Sequence, residues 1–230
     1  MSNPGLLLKL FTGSKIECNN SVVGANFTQT LTGDTYNAGY YKNSNAIRIP
    51  AAVAGGEDFK ATENTPVAGT IEMWVRFQGW SMTNANLSDG GHHKALYRDS
   101  LIVPFNALFF QQGNGFISWV FGDSGFTAIN VTNQSIADNT WTHIAQAYSI
   151  ADDVHECLIN GVVVGSSTMG TTVLAGTNAS VQSIGMRATN NDMEFDGDID
   201  GVTFYNYRKT AQEIKKTMND RRSGLMDVVE

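Results

Sequence analysis

The chain is short of cysteine, of charge and of long apolar runs, and each shortage removes a class of protein. Only two cysteines, Cys18 and Cys157, occur among 230 residues. A dense disulfide framework is therefore excluded, and none is needed, because a chain this long buries roughly 70–75% of its unfolded surface. The two thiols read as small buried hydrophobes in a reducing compartment, with a disulfide between them as the lesser alternative. Charged residues make up 16% of the chain, with 15 Lys+Arg against 22 Asp+Glu and a net charge of −7. No Lys/Arg-dense face occurs before residue 207, which argues against nucleic acid as a partner, since phosphate binding needs clustered cations. No segment approaches the ~20 apolar residues that cross a bilayer. The run Leu6-Leu7-Leu8-Lys9-Leu10-Phe11 is too short for a signal sequence and is broken by Lys9. The expectation is a chain made in the cytoplasm, or released without a cleaved signal.

What is present points to strands. Hydrophobic residues reach 42%, aromatics 10%, and glycines number 23. Asn, Thr and Ser recur between the apolar stretches, a bias that suits many strands joined by tight turns. With no internal repeat, linker or low-complexity tract, residues 1–230 read as one all-β domain. The clearest strand is 70–77, where Ile71, Met73, Val75 and Phe77 alternate with Thr70, Glu72, Trp74 and Arg76. Large residues on both sides predict a central position in a sheet. Further strands are expected at 6–11, 45–50, 95–99, 107–112, 116–121, 127–131, 141–149, 181–187 and 194–207. Segments 51–67 and 80–94 read as surface loops. Asn160-Gly161 predicts a type I′ hairpin between strands 154–159 and 162–165, since both turn positions need positive φ. Thr210-Ala211-Gln212-Glu213 has the form of a capping box, so a helix is expected over about 210–223, with Ile214 and Met218 on one side. An apolar tail, 224–230, follows.

The order of the last third resembles the laminin G-like, concanavalin A-like jelly roll. Trp141, His143, Ile144 and Ala145 are similar to that family's Trp-x-His-Ile/Val-Ala strand, and Asn160-Gly161 to its hairpin. Gly197, Ile199, Asp200, Val202 and Tyr205 match its closing Gly-x-Ile-Asp-x-Val-x-x-Tyr, while 69–75 resembles its early Gly-Thr-Ile-Glu-Met-Trp-Val strand. The resemblance implies a two-sheet antiparallel β-sandwich whose rim loops bind glycans, proteins or calcium. It also implies a calcium ligand at Asp200, assisted by Asp198. The early region that should supply the remaining ligands, 11–21, has Glu17 as its single acidic residue.

Other constellations compete with that reading. Asp196, Asp198 and Asp200 mimic half of an EF-hand loop, but the twelfth position is Tyr207 instead of a bidentate glutamate, which excludes the motif. An acidic face exposed to water is the alternative to calcium. Glu194, Asp196 and Asp198 fall on one strand face, as the carboxylates of sandwich-fold glucanases do, yet the motif lies in the last strand and ends on the shorter aspartate. Kinship of fold does not carry activity, so catalysis is not expected. His92-His93 reads as a solvated loop, His143 as a satisfied sheet residue, and His155 as exposed. Trp80, Tyr97, Tyr40 and Tyr41 flank loops, where their faces could stack on a sugar ring; edge-of-core packing is the alternative. Lys215, Lys216, Arg221 and Arg222 form the solvated face of the helix. The resulting expectation is a non-catalytic binding or structural module without an assured cofactor. Its most favoured setting is a virion, as a phage capsid decoration or tail-associated protein contacting other assembly proteins, with glycans and a second copy of itself as further partners. A free glycan-binding lectin, calcium-dependent or not, is the alternative, and a glucanase-like hydrolase comes third.

Overall fold

A computed structural model describes residues 6–10, 28–29, 35–40, 45–49, 59–64, 67–77, 93–99, 105–111, 115–122, 125–131, 137, 139–169, 179–185, 195 and 197–222. Chain order gives β1 (Leu6–Leu10), β2 (Thr28–Gln29), β3 (Thr35–Ala38), β4 (Asn45–Ile49), β5 (Phe59–Asn64), β6 (Ala68–Phe77), β7 (His93–Asp99) and β8 (Phe105–Gln111). It continues with β9 (Gly115–Gly122), β10 (Gly125–Val131), β11 (Thr142–Ser149), β12 (Val154–Ile159), β13 (Val162–Ser167), β14 (Ala179–Ile184), β15 (Gly197–Tyr205) and helix α1 (Ala211–Arg222). One sheet runs β13-β12-β11-β6-β15-β4-β3, with β1 also paired to β15, and the other runs β10-β9-β8-β7-β14-β5-β2. The strand pairings are antiparallel, and the expected two-sheet sandwich with a C-terminal helix is the fold that forms.

The alternation of β6 sets the layers. It lies between β11 and β15, and its register places Trp74 opposite His143 and Asp200, and Glu72 opposite Ala145 and Thr203. Ile71, Met73, Val75 and Phe77 occupy the other face with Ile144 and Ile199, all buried. Every residue of β11 and β15 is buried, so both faces of the sheet centre are covered. On the Trp74 side the cover is partly α1: Ile214 packs on Ala145, Ala147 and Leu158, where two alanines leave room for the helix. Thr210 and Glu213 form the expected capping box, each side chain bonded to the other's backbone N–H.

The Asn160-Gly161 turn has φ of 50° and 73°, as a type I′ hairpin requires. Asn160 does more than turn the chain, because its Oδ1 accepts the His143 N–H at 2.9 Å and ties the hairpin tip to β11. In β15 the register shifts between Asp200 and Thr203, where Gly201 sits at φ 61°. This bulge inserts one residue, and so keeps Phe204 opposite Ile71 and Thr203 opposite Glu72.

Three expectations are corrected. Segment 51–67 is not wholly a loop: β5 lies inside it and pairs with both β14 and β2. Its polar composition hid the strand, since backbone pairing needs no apolar side chains. His155 is fully buried, on the same side of β12 as Cys157, and its Nε2 lies 3.2 Å from Gln146 Nε2. The acidic strand is not solvated either, for Asp198 and Asp200 are both 0% exposed. Cys157 is buried; Cys18 lies outside the described residues.

Candidate functional site

On the helix-bearing face of the first sheet, strand register brings aromatics and charges together. β6 contributes Trp74 and Arg76, and β15 contributes Asp198 and Asp200. Trp141 immediately precedes β11, and Tyr40 follows β3. Asp198 stands opposite Arg76 on one neighbour and Arg48 on the other. Arg76 donates its Nε–H to Asp198 Oδ2 at 2.9 Å. Asp200 Oδ2 accepts the backbone N–H of Tyr40, also at 2.9 Å, which pins the Tyr40 segment to the sheet.

That pin places the Tyr40 ring flat on Trp74, with centroids 3.4 Å apart and planes at 13°. Trp141 meets Tyr40 edge-on at 6.2 Å, and the Arg76 guanidinium lies 5.0 Å over the Trp141 ring. Trp74 is deep and nearly closed, whereas Tyr40 and Trp141 are partly exposed and the Arg76 side chain is 24% exposed. The outer surface is thus a ledge of two aromatic rings and a guanidinium, supported from below by carboxylates that never reach water. A ledge held this way is preorganised, since the groups that would meet a ligand are fixed by partners behind them.

Next to the ledge the polar groups are internal. His143 meets Trp74 edge-on at 5.1 Å, and its Nε2 lies 3.5 Å from Glu72 Oε2. Lys209 bonds Glu72 and Thr217 beneath the helix. His143 is a buried sheet residue as expected, but not a fully satisfied one, since its Nδ1 has no hydrogen-bond partner among the described residues. The Trp74 indole N–H is buried with no acceptor among the described residues.

Asp198 and Asp200, read as calcium ligands, do share a face, but one accepts from a guanidinium and the other from a backbone amide. Among the described residues no group of three or more His, Cys, Asp or Glu is arranged to hold a metal ion. A hard cation takes 6–8 oxygens, and a carboxylate bonded to arginine suits it poorly. Trp80, Glu194 and Asp196 lie outside the described residues. Tyr97 is on β7, opposite Ile184 and Leu108 in register, away from the ledge in the other sheet. Sequence reasoning names Tyr40 as a loop aromatic able to stack on a sugar, but it does not join Tyr40 to Trp141 and Arg76. The signal available was the placement of Trp74, Arg76 and Trp141 on the alternate set of two strands that resemble neighbours in the family pattern.

Comparison with curated protein sequences finds no match. Among solved structures, domain 4 of AbnA, a GH43 extracellular arabinanase from Geobacillus stearothermophilus solved with arabinotriose, is similar at a TM-score of 0.68 and 15% identity. That match covers 92% of this chain and 97% of the arabinanase domain. The binding domain of botulinum neurotoxin DC, solved with SialylT, gives a TM-score of 0.71 at 12% identity over 95% of this chain. The binding domain of Paraclostridial Mosquitocidal Protein 1 gives 0.67 at 16% identity over 94%. The chain spans about half, 52%, of the length of each toxin domain. At such identities the likeness is one of fold. No helix among the described residues is long and apolar enough to cross a membrane. The family model for the concanavalin A-like lectin/glucanases superfamily matches residues 42–215, three-quarters of the sequence and every motif quoted from its last third, and the chain belongs to that superfamily.

Proposed function

We propose that the chain is a non-catalytic, lectin-like binding module that takes a glycan as its ligand. The observation that carries this reading is the ledge of Tyr40, Trp141 and Arg76, partly open to solvent and fixed by buried carboxylates. Aromatic faces beside a fixed hydrogen-bond donor are the chemistry that holds a sugar ring, with its apolar face on the ring and its polar edge on the donor. The named similar structures include domains solved with arabinotriose and with SialylT, which is consistent with that use of the fold. Catalysis is disfavoured because Asp198, the third member of the acidic set, is paired with Arg76.

A glycan array run with and without calcium tests the reading. Binding to a defined subset of glycans, unchanged by chelator, is the expected result. A blank array would refute it. Loss on chelation would restore Asp200 and Asp198 as cation ligands, and binding lost in Trp80→Ala or Tyr97→Ala would move the site to the rim. Release of reducing sugar that stops in Glu194→Gln would make the protein an enzyme.

The finer placement on a bacteriophage virion, as a capsid decoration or tail-associated protein, has sequence-level support alone: polar loops on a sandwich, with an apolar tail behind a basic helix. Detection of the chain in purified particles would support it. A freely diffusing monomer absent from particles would favour the lectin alternative.

A further inference from the structure

Resting on the binding reading above, we infer that the ledge selects saccharides carrying a carboxylate, a uronate or a sialate, over neutral ones. The argument is an inventory of donors and acceptors. A neutral sugar presents hydroxyls that both give and receive hydrogen bonds, so a site for it needs open acceptors as well as donors. Here, among the described residues, the carboxylate acceptors have been withdrawn. Asp198 and Asp200 are each 0% exposed, one bonded to the Arg76 Nε–H and the other to the Tyr40 N–H.

What faces outward is a donor. The Arg76 side chain is 24% exposed, and its one hydrogen bond among the described residues is made through Nε. The terminal guanidinium nitrogens thereby keep a two-pronged face for an acceptor, and a planar carboxylate matches that fork with two parallel bonds. Asp198 holds the fork in place without covering it. Trp141 lies under the guanidinium and, with Tyr40, supplies the apolar surface beside it. A carboxylated pyranose joins the two features within one ring. An acidic peptide would use the arginine but leave the aromatic surface without a partner, so the sugar is the better fit. Asp200 weakens the local positive field, which makes geometry and not long-range attraction the source of selection.

The test titrates the full chain, by its tryptophan fluorescence, with trigalacturonate and with 3′-sialyllactose. Carboxyl-reduced versions of both and a Glu-rich peptide are the comparators. The expected result is binding of at least one acid, weakened about tenfold or more on carboxyl reduction. Trp141→Ala should weaken it by a similar factor. Arg76→Gln alone takes from the buried Asp198 its Arg76 partner, and the neutral pair Arg76→Gln with Asp198→Asn reduces that penalty. This double variant should keep its melting temperature while losing the preference for the acid. Equal affinity for acid and reduced sugar would overturn the inference, as would binding of the peptide alone or an acid preference that survives in the double variant. If neutral glycans on the array bind and no acid does, the inference falls while the lectin-like reading stands. If nothing on the array binds, both fall.

Discussion

Glu72 and Lys209 form an ion pair sealed between β6 and the start of α1, with side-chain exposures of 0% and 4%. Lys209 also donates to Thr217 Oγ1 at 2.6 Å and lies 4.3 Å over the Tyr205 ring. The pair is thus the polar fastening of the helix, beside the apolar one made by Ile214. A buried pair adds little compared with a well-packed apolar replacement, but breaking it strands a charge. Lys209→Met should therefore cost about 3–5 kcal/mol in urea unfolding, and adding Glu72→Gln should recover much of that. A single-variant loss below about 1 kcal/mol would show that His143, 3.5 Å from Glu72, suffices to hold the charge.

His155 should make the protein acid-sensitive. Burial holds its pKa at about 3, far below the ordinary 6.5, so the folded chain keeps it neutral while the unfolded chain protonates it. The unfolded state then binds more protons between those values, and stability falls as pH drops through that window. The slope attributable to this one group is about 1.4 kcal/mol per pH unit. His155→Gln should flatten the stability profile between pH 6.5 and pH 4 by about that amount. Parallel profiles for the two proteins would mean that His155 is reached by water or protons in the native fold.

Gly197 should tolerate no side chain. A Cβ there would lie 2.4 Å from the Arg76 carbonyl oxygen and 2.8 Å from the Phe195 ring. The first of these is backbone in the central strand and cannot yield cheaply. Gly197→Ala should cost about 1–3 kcal/mol or more and should displace Asp198 from Arg76, its immediate neighbour across the ladder. Gly69→Ala meets the hydroxyl end of Tyr148 first, at 2.9 Å, and should cost less. Equal melting temperatures for the two variants would contradict the steric account.

Much of this architecture is written locally. The period-two run 70–77, the Asn160-Gly161 turn and the Thr210–Glu213 box each depend on near neighbours, and each forms where the residues place it. The two alanines at 145 and 147 were a readable sign of the helix seat. What stayed hidden depends on distant partners. The acidity of Asp198 and Asp200 suggests solvent or a cation until Arg76, 122 residues away, and Tyr40, 160 residues away, are placed against them. His155 looked exposed because its sequence neighbour is Glu156, yet that glutamate takes the other side of the strand and pairs with Arg208. The ledge was legible only in pieces for the same reason: Tyr40 stood out as a loop aromatic, but its partners come from separate segments.

The capping box offers the sharpest local test, because its two residues do different work. Thr210 Oγ1 accepts the Glu213 N–H at 3.3 Å, while Glu213 Oε2 accepts the Thr210 N–H at 2.7 Å and its hydroxyl at 2.8 Å. Thr210→Ala removes the side-chain half and should cost about 1 kcal/mol. The Glu213 pKa is lowered by the backbone hydrogen bond from Thr210 and then by the side-chain one. A carboxyl lowered on folding stabilises the fold above its unfolded pKa of 4.5, and that contribution is lost as pH falls through its folded value. The helix should accordingly loosen at acid pH in the parent chain. Glu213→Gln should remove the pH-dependent part alone, because the amide oxygen still accepts the Thr210 N–H. Hydrogen exchange at the Ile214 amide, which is bonded to the Thr210 carbonyl, reports this first turn directly. Faster exchange in Thr210→Ala at neutral pH, with Glu213→Gln near the parent, is the expected pattern. The reverse order would mean that the carboxylate charge at the helix start outweighs the threonine cap.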